Sequence, residues 1–122
     1  DLGLVLDTTH AGTAGEDLLQ AYHTFGDRLV NVHLSDLDGS APLVPSPYRH
    51  RVLGQHMYPG QGTLPLTELL AGLSTGGYAG PVTVELHPIA LRIWWPPTVH
   101  RYLRRVMEWM KAVTSGKAGP NP

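Results

Sequence analysis

A chain of 122 residues, 42% hydrophobic and 16% charged with a formal net charge of −1, has the composition of a folded domain and excludes a disordered one. Cys is absent, which excludes disulfides, thiolate metal sites and a Cys nucleophile. The near-neutral balance gives no electrostatic reason to expect a nucleic-acid partner. Seven His stand against nine Lys and Arg, an excess that directs attention to metal or acid–base chemistry.

In chain order, Leu2-Gly3-Leu4-Val5-Leu6 is an apolar run without polar alternation, as suits a strand buried on both faces. A chain without an initiator Met that opens inside such a run reads as a piece of a longer protein. The run ends at Asp7-Thr8-Thr9-His10, and the small residues 11–15 predict a loop. Residues 16–25 predict a helix: Leu18, Leu19, Tyr22 and Phe25 share a face, Glu16 and Asp17 stand in the first turn, and Gly26 ends it. Residues 28–34 predict a second strand. Residues 35–62 are a long loop rich in Pro, Gly and His, of a length usual for functional segments.

Residues 65–73 predict a helix with Leu66, Leu69, Leu70 and Leu73 on one face, Pro65 in its first turn and Gly76-Gly77 as its stop. Residues 81–86 predict a third strand. Residues 97–113 predict a last helix, with Val99, Tyr102, Leu103, Val106, Met110 and Val113 at helical spacing. Residues 114–122 read as a flexible tail. Trp94 and Trp95 are expected to pack under the barrel or at a subunit contact, and His23 and His100 to lie on the surface. No run approaches the ~18 apolar residues of a membrane helix. With no signal-peptide pattern either, a cytoplasmic location is expected.

Strands separated by helices imply parallel pairing with right-handed crossovers. Three such units do not close a sheet, and a (β/α)8 barrel takes roughly 250 residues. The fold class expected is therefore α/β: the C-terminal half of a TIM barrel, with one partial barrel domain over residues 1–113. Each strand ends in a potential metal ligand: Asp7, with His10 three residues on, then His33, then Glu85. Sites in parallel α/β folds lie at the carboxyl ends of strands, and mixed carboxylate and imidazole donors suit a divalent ion such as Mn, Co or Zn, with Mg less suited to imidazole.

Asp7-Thr8-Thr9-His10 resembles the D-x-x-H strand of xylose isomerase-like barrels, a superfamily of sugar (phosphate) isomerases and epimerases and family-2 apurinic endonucleases. His33-Leu34-Ser35-Asp36 resembles the following H-x-x-D strand. Gly60-Gln61-Gly62 resembles the Gly-x-Gly turn, and residues 77–85 the last strand with its terminal acid. The resemblance implies that Asp7, His33 and Glu85 are three of four ligands to one divalent metal, the fourth being a Glu on an earlier strand outside this chain. It implies that Glu85 also acts as an acid–base group and that His10 faces the substrate. Arg49 and Arg51 are candidates to grip a phosphate or carboxylate of the substrate. The partner is then a small sugar-like molecule, isomerised or epimerised through an enediolate. The chain alone is expected to be inactive, and to associate with itself or with the missing half.

The endonuclease branch implies three zinc ions and makes His10 a ligand. His56 stands at the His place of that branch's Asp-x-His pair, but Gly54 occupies the Asp place. A non-catalytic half-barrel acting as a binding module is the remaining reading. Asp36 is expected to orient His33 or cap the loop. His56 and His87 are open as pocket residues.

Overall fold

The computed structural model describes residues 2–38 and 54–117. Three strands, β1 (Leu4–Asp7), β2 (Leu29–Leu34) and β3 (Val82–Val84), form one sheet in the order β1-β2-β3, all parallel. Between β1 and β2 lie α1 (Thr8–Ala14), α2 (Leu18–Phe25) and a 3-10 turn (Gly26–Arg28). Between β2 and β3 lies α3 (Leu66–Thr75), and after β3 come the short α4 (Pro88–Leu91) and the long α5 (Pro96–Thr114). The expected α/β architecture is present: three parallel strands with intervening helices, a partial TIM barrel.

The register positions the site. Asp7 pairs with His33, and His33 pairs with Thr83. These three residues form one row across the sheet, and side chains on a pleated sheet alternate faces with period two. Glu85, two residues beyond Thr83, therefore shares the face of that row. Two rows earlier, Val5 pairs with Asn31, and the Thr83 hydroxyl donates to Asn31 Oδ1 at 3.2 Å.

The alternate residues Leu6, Val32 and Leu34 are buried in one cluster with Leu18 and Tyr22 of α2, Leu66, Leu69, Leu70 and Leu73 of α3, and Val106, Trp109 and Val113 of α5. Each fully buried Leu contributes about 2 kcal/mol by leaving water. All four leucines of the predicted α3 face are buried. On α5 the buried residues are Thr98, Val106, Trp109 and Val113, whereas Leu103 of the predicted stripe is exposed.

Several boundaries differ from expectation. Residues 8–14 form a helix where residues 11–15 predicted a loop. Asp7 Oδ1 caps it by accepting from His10 N at 3.0 Å, and Gly15 ends it in the left-handed conformation at φ 77. The next helix begins at Leu18: Asp17 is its cap, accepting from Gln20 N at 2.8 Å, so Glu16 and Asp17 precede the first turn. The third strand stops at Val84, leaving Pro81, Glu85 and Leu86 outside it. Trp94 and Trp95 do not pack inside this chain among the described residues; they are 65% and 59% exposed. No helix among the described residues is long and apolar enough to cross a membrane.

Candidate functional site

Asp7 ends β1 and opens α1, and its two carboxylate oxygens divide the work. Oδ1 caps the helix. Oδ2 lies 3.9 Å from both His10 Nε2 and His33 Nδ1. His33, one residue before the end of β2, directs Nδ1 at Glu85 Oε2, 2.8 Å away. Glu85 is held at the sheet by its backbone N–H, which donates to Leu34 O at 3.1 Å. Asp7, His33 and Glu85 each offer a ligand atom, and those atoms lie within 4.8 Å of one another.

The chemistry of this donor set, two carboxylates and an imidazole, is of the kind that holds a divalent cation. Ligands on one ion sit about 2.1 Å from it, so their mutual separations cannot exceed roughly twice that length. The 2.8 and 3.9 Å separations around His33 Nδ1 meet that limit, and the Asp7 and Glu85 ligand atoms lie within 4.8 Å of each other. Two carboxylates facing one imidazole also place negative charge where a cation would balance it.

A second group, Asp7, His10 and His56, also has ligand atoms within 4.8 Å of one another. His10 is the outermost member, its side chain 67% exposed, and its ring meets that of His56 edge-on with centroids 5.5 Å apart. The long loop thus does bring His56 to the site. Asp7 Oδ2 is the oxygen facing both groups, so ions in both would have to share it. Gly54, at the place of the endonuclease Asp, is buried and offers no side-chain ligand.

Asp36 explains how that loop is held. It is 1% exposed, and four backbone N–H groups donate to its carboxylate: Leu37 and Leu64 to Oδ1 at 2.9 and 3.0 Å, Gly60 and Gly62 to Oδ2 at 2.8 and 2.9 Å. Its own backbone exchanges two hydrogen bonds with Met57, each 2.9 Å. A Cβ on Gly62 would collide with the Asp36 carboxylate and Leu37 O. The Asp of H-x-x-D and the glycines of Gly-x-Gly are therefore two halves of one device. Asp36 caps the loop and makes no described contact with His33.

Arg49 and Arg51 lie outside the described residues. His23 and His100 are exposed on helices, as expected. His87 donates its backbone N–H to His56 O at 2.8 Å, tying the loop to the segment after β3. Sequence reasoning missed Thr9 and Ser35, both buried. Thr9 Oγ1 and Ser35 Oγ are 2.8 Å apart, and Ser35 Oγ is 3.1 Å from His56 Nδ1. The available signal was their place, immediately beside the strand ends that carry the candidate ligands.

A barrel segment with an acid–imidazole–acid set across three adjacent strand ends defines a class of protein, and comparison with known proteins names it. The chain matches the Xylose isomerase-like TIM barrel family over residues 1–113 and belongs to that family. It is 33% identical over 87 residues to an uncharacterized protein of Mycobacterium tuberculosis, covering 71% of this chain and 27% of that protein. It is 32% identical over 71 residues to a fructoselysine 3-epimerase of Escherichia coli O157:H7, covering 58% of this chain and 22% of the relative. Among solved structures, a D-tagatose 3-epimerase-like protein superposes with a TM-score of 0.60 at 22% identity, over 96% of this chain and 38% of that one. A D-allulose 3-epimerase from Methylomonas sp., in complex with D-allulose, superposes with a TM-score of 0.58 at 22% identity, over 89% and 36%. The chain thus spans about a quarter of the length of the curated relatives it matches.

Proposed function

We propose that this chain carries most of the metal site of a sugar isomerase or epimerase. The observation that supports this most is the convergence of Asp7, His33 and Glu85 from three adjacent parallel strands. The epimerases among its relatives and structural neighbours support the sugar-like substrate. In this reading Asp7 Oδ2, His33 Nδ1 and Glu85 Oε2 hold one divalent ion, and a further carboxylate comes from a strand outside this chain. The ion supplies positive charge that offsets the negative charge developing on the substrate oxygens when a carbon-bound proton is removed.

The protein's own groups do the rest. Glu85 turns one oxygen toward His33 and has the other left to accept or return the proton at carbon. His10, the most exposed of the group, contacts a substrate hydroxyl. Asp7 cannot swing away to compete as a base, because its second oxygen caps α1.

The zinc endonuclease reading retains one favourable observation, the Asp7, His10 and His56 group. Gly54 in place of a ligand and the net charge of −1 weigh against it.

The test uses the intact protein in deuterated water with D-allulose and D-tagatose, metal supplied. Wild type should epimerise one or both and exchange a carbon-bound hydrogen for deuterium. Glu85→Gln should lower the rate by at least about 100-fold, the usual scale for a lost acid–base group. Undiminished exchange in E85Q would overturn the role given to Glu85.

A further inference from the structure

Ser35 and Thr9 make no described side-chain hydrogen bond to Asp7, His33 or Glu85, yet they join His56 to the buried backbone. Ser35 Oγ stands between Thr9 Oγ1, at 2.8 Å, and His56 Nδ1, at 3.1 Å. Thr9 Oγ1 is in turn 3.3 Å from the carbonyl oxygen of Asp36. A carbonyl only accepts, and each hydroxyl has one hydrogen to give. With Thr9 donating to Asp36 O and Ser35 donating to Thr9, Ser35 accepts from His56. That direction makes three hydrogen bonds. Every arrangement in which Ser35 donates to His56 makes only two, leaving one pair of these oxygens with no hydrogen between them, while Asp36 O keeps its bond from Met57 N throughout.

We infer that Ser35, backed by Thr9, is a positioning residue that fixes the neutral His56 ring with its proton on Nδ1, so that Nε2 presents a lone pair to the Asp7–His10 side of the site. Two independent features hold the ring's backbone in place for this. His56 sits at φ 52, a left-handed conformation that non-glycine residues rarely adopt and that persists only where the surroundings impose it. Its carbonyl is pinned by His87 N, and its neighbour Met57 by the exchange with Asp36. The two hydroxyls belong to different segments, Thr9 to α1 and Ser35 to the end of β2, so the ring orientation depends on the same packing that brings Asp7 and His33 into register. The consequence for a ligand rests on the sugar-epimerase reading: Nε2 would accept the hydrogen of a substrate hydroxyl beside His10, a bond that the other tautomer could not accept.

The experiment is long-range proton–nitrogen NMR on the full chain labelled with 15N-histidine. It is run free of metal and sugar, at a pH above about 8 where an ordinary imidazole is neutral. The His56 signals are identified by their loss in His56→Gln. Wild type should carry the proton on Nδ1. Ser35→Thr should keep that pattern, and Ser35→Ala should lose it. In Thr9→Val the Ser35 hydroxyl no longer has Thr9 as an acceptor and should turn to His56 Nδ1, moving the ring proton to Nε2. A wild-type ring protonated on Nε2, or a folded T9V with the wild-type pattern, would overturn the inference. If T9V fails to fold, the wild-type and S35A spectra decide it, and an S35A ring that keeps the wild-type pattern overturns the inference. Failure here leaves the epimerase reading standing, and an inactive enzyme in the epimerase assay leaves the ring assignment standing.

Discussion

At the scale of single residues, the site depends on carboxylates that do structural work. Asp7 spends one oxygen on capping α1 and keeps the other for His10 and His33. Asp36 spends all of its capacity on four backbone N–H groups of the Leu37 and Gly60–Leu64 segments. Asp36→Asn would set an amide NH2 against two of those donors. Each buried N–H left unpaired costs about 1–3 kcal/mol, so D36N should lose about 3 kcal/mol of unfolding free energy. Urea denaturation followed by circular dichroism measures this, and a change within about 0.5 kcal/mol would refute the role given to the carboxylate. Asp7, His33 and Glu85 were legible as candidates because strand-end position follows from local pattern. Thr9, Ser35 and His56 were not legible as a group, because a hydroxyl's partner depends on how a distant loop returns.

At the scale of elements, burial was readable and boundaries were not. The leucines of α3 announce their face by spacing, and all four are buried. By contrast, α1 has the sequence Thr-Thr-His-Ala-Gly-Thr-Ala, which carries no apolar periodicity. It forms because Asp7 caps its start, Gly15 ends it, and Thr8 anchors it to the end of β2. The Thr8 hydroxyl donates to Ser35 O at 2.6 Å and accepts from Ser35 N at 3.0 Å. On α5 the apolar spacing was found, but the buried stripe runs through Thr98 and Trp109 and leaves Leu103 out. Which side of a wide apolar band is buried depends on the packing partner, here α3, whose Ser74 hydroxyl also donates to Thr114 O at 3.0 Å.

At the scale of the whole molecule, the three-stranded sheet is, among the described residues, covered on one face and open on the other. On the open face Val5 is 47% exposed, and among the described residues no further strand pairs with the outer edges of β1 and β3. Produced alone, residues 1–122 should self-associate. Light scattering tests this, and a stable monomer across the micromolar range would count against the partial-barrel reading. The order of the strands and of their candidate ligands was legible from sequence, and with it the family. The sharing of Asp7 between two histidine groups was not, since it rests on how a single carboxylate turns its oxygens.

The central claim is that Asp7, His33 and Glu85 hold one divalent ion in the intact protein. Metal content after loading and exhaustive dialysis tests it most directly. The assignment predicts about one ion per chain in wild type, falling to a small fraction of that in E85Q. Three zinc ions per chain, or undiminished metal in E85Q, would contradict it.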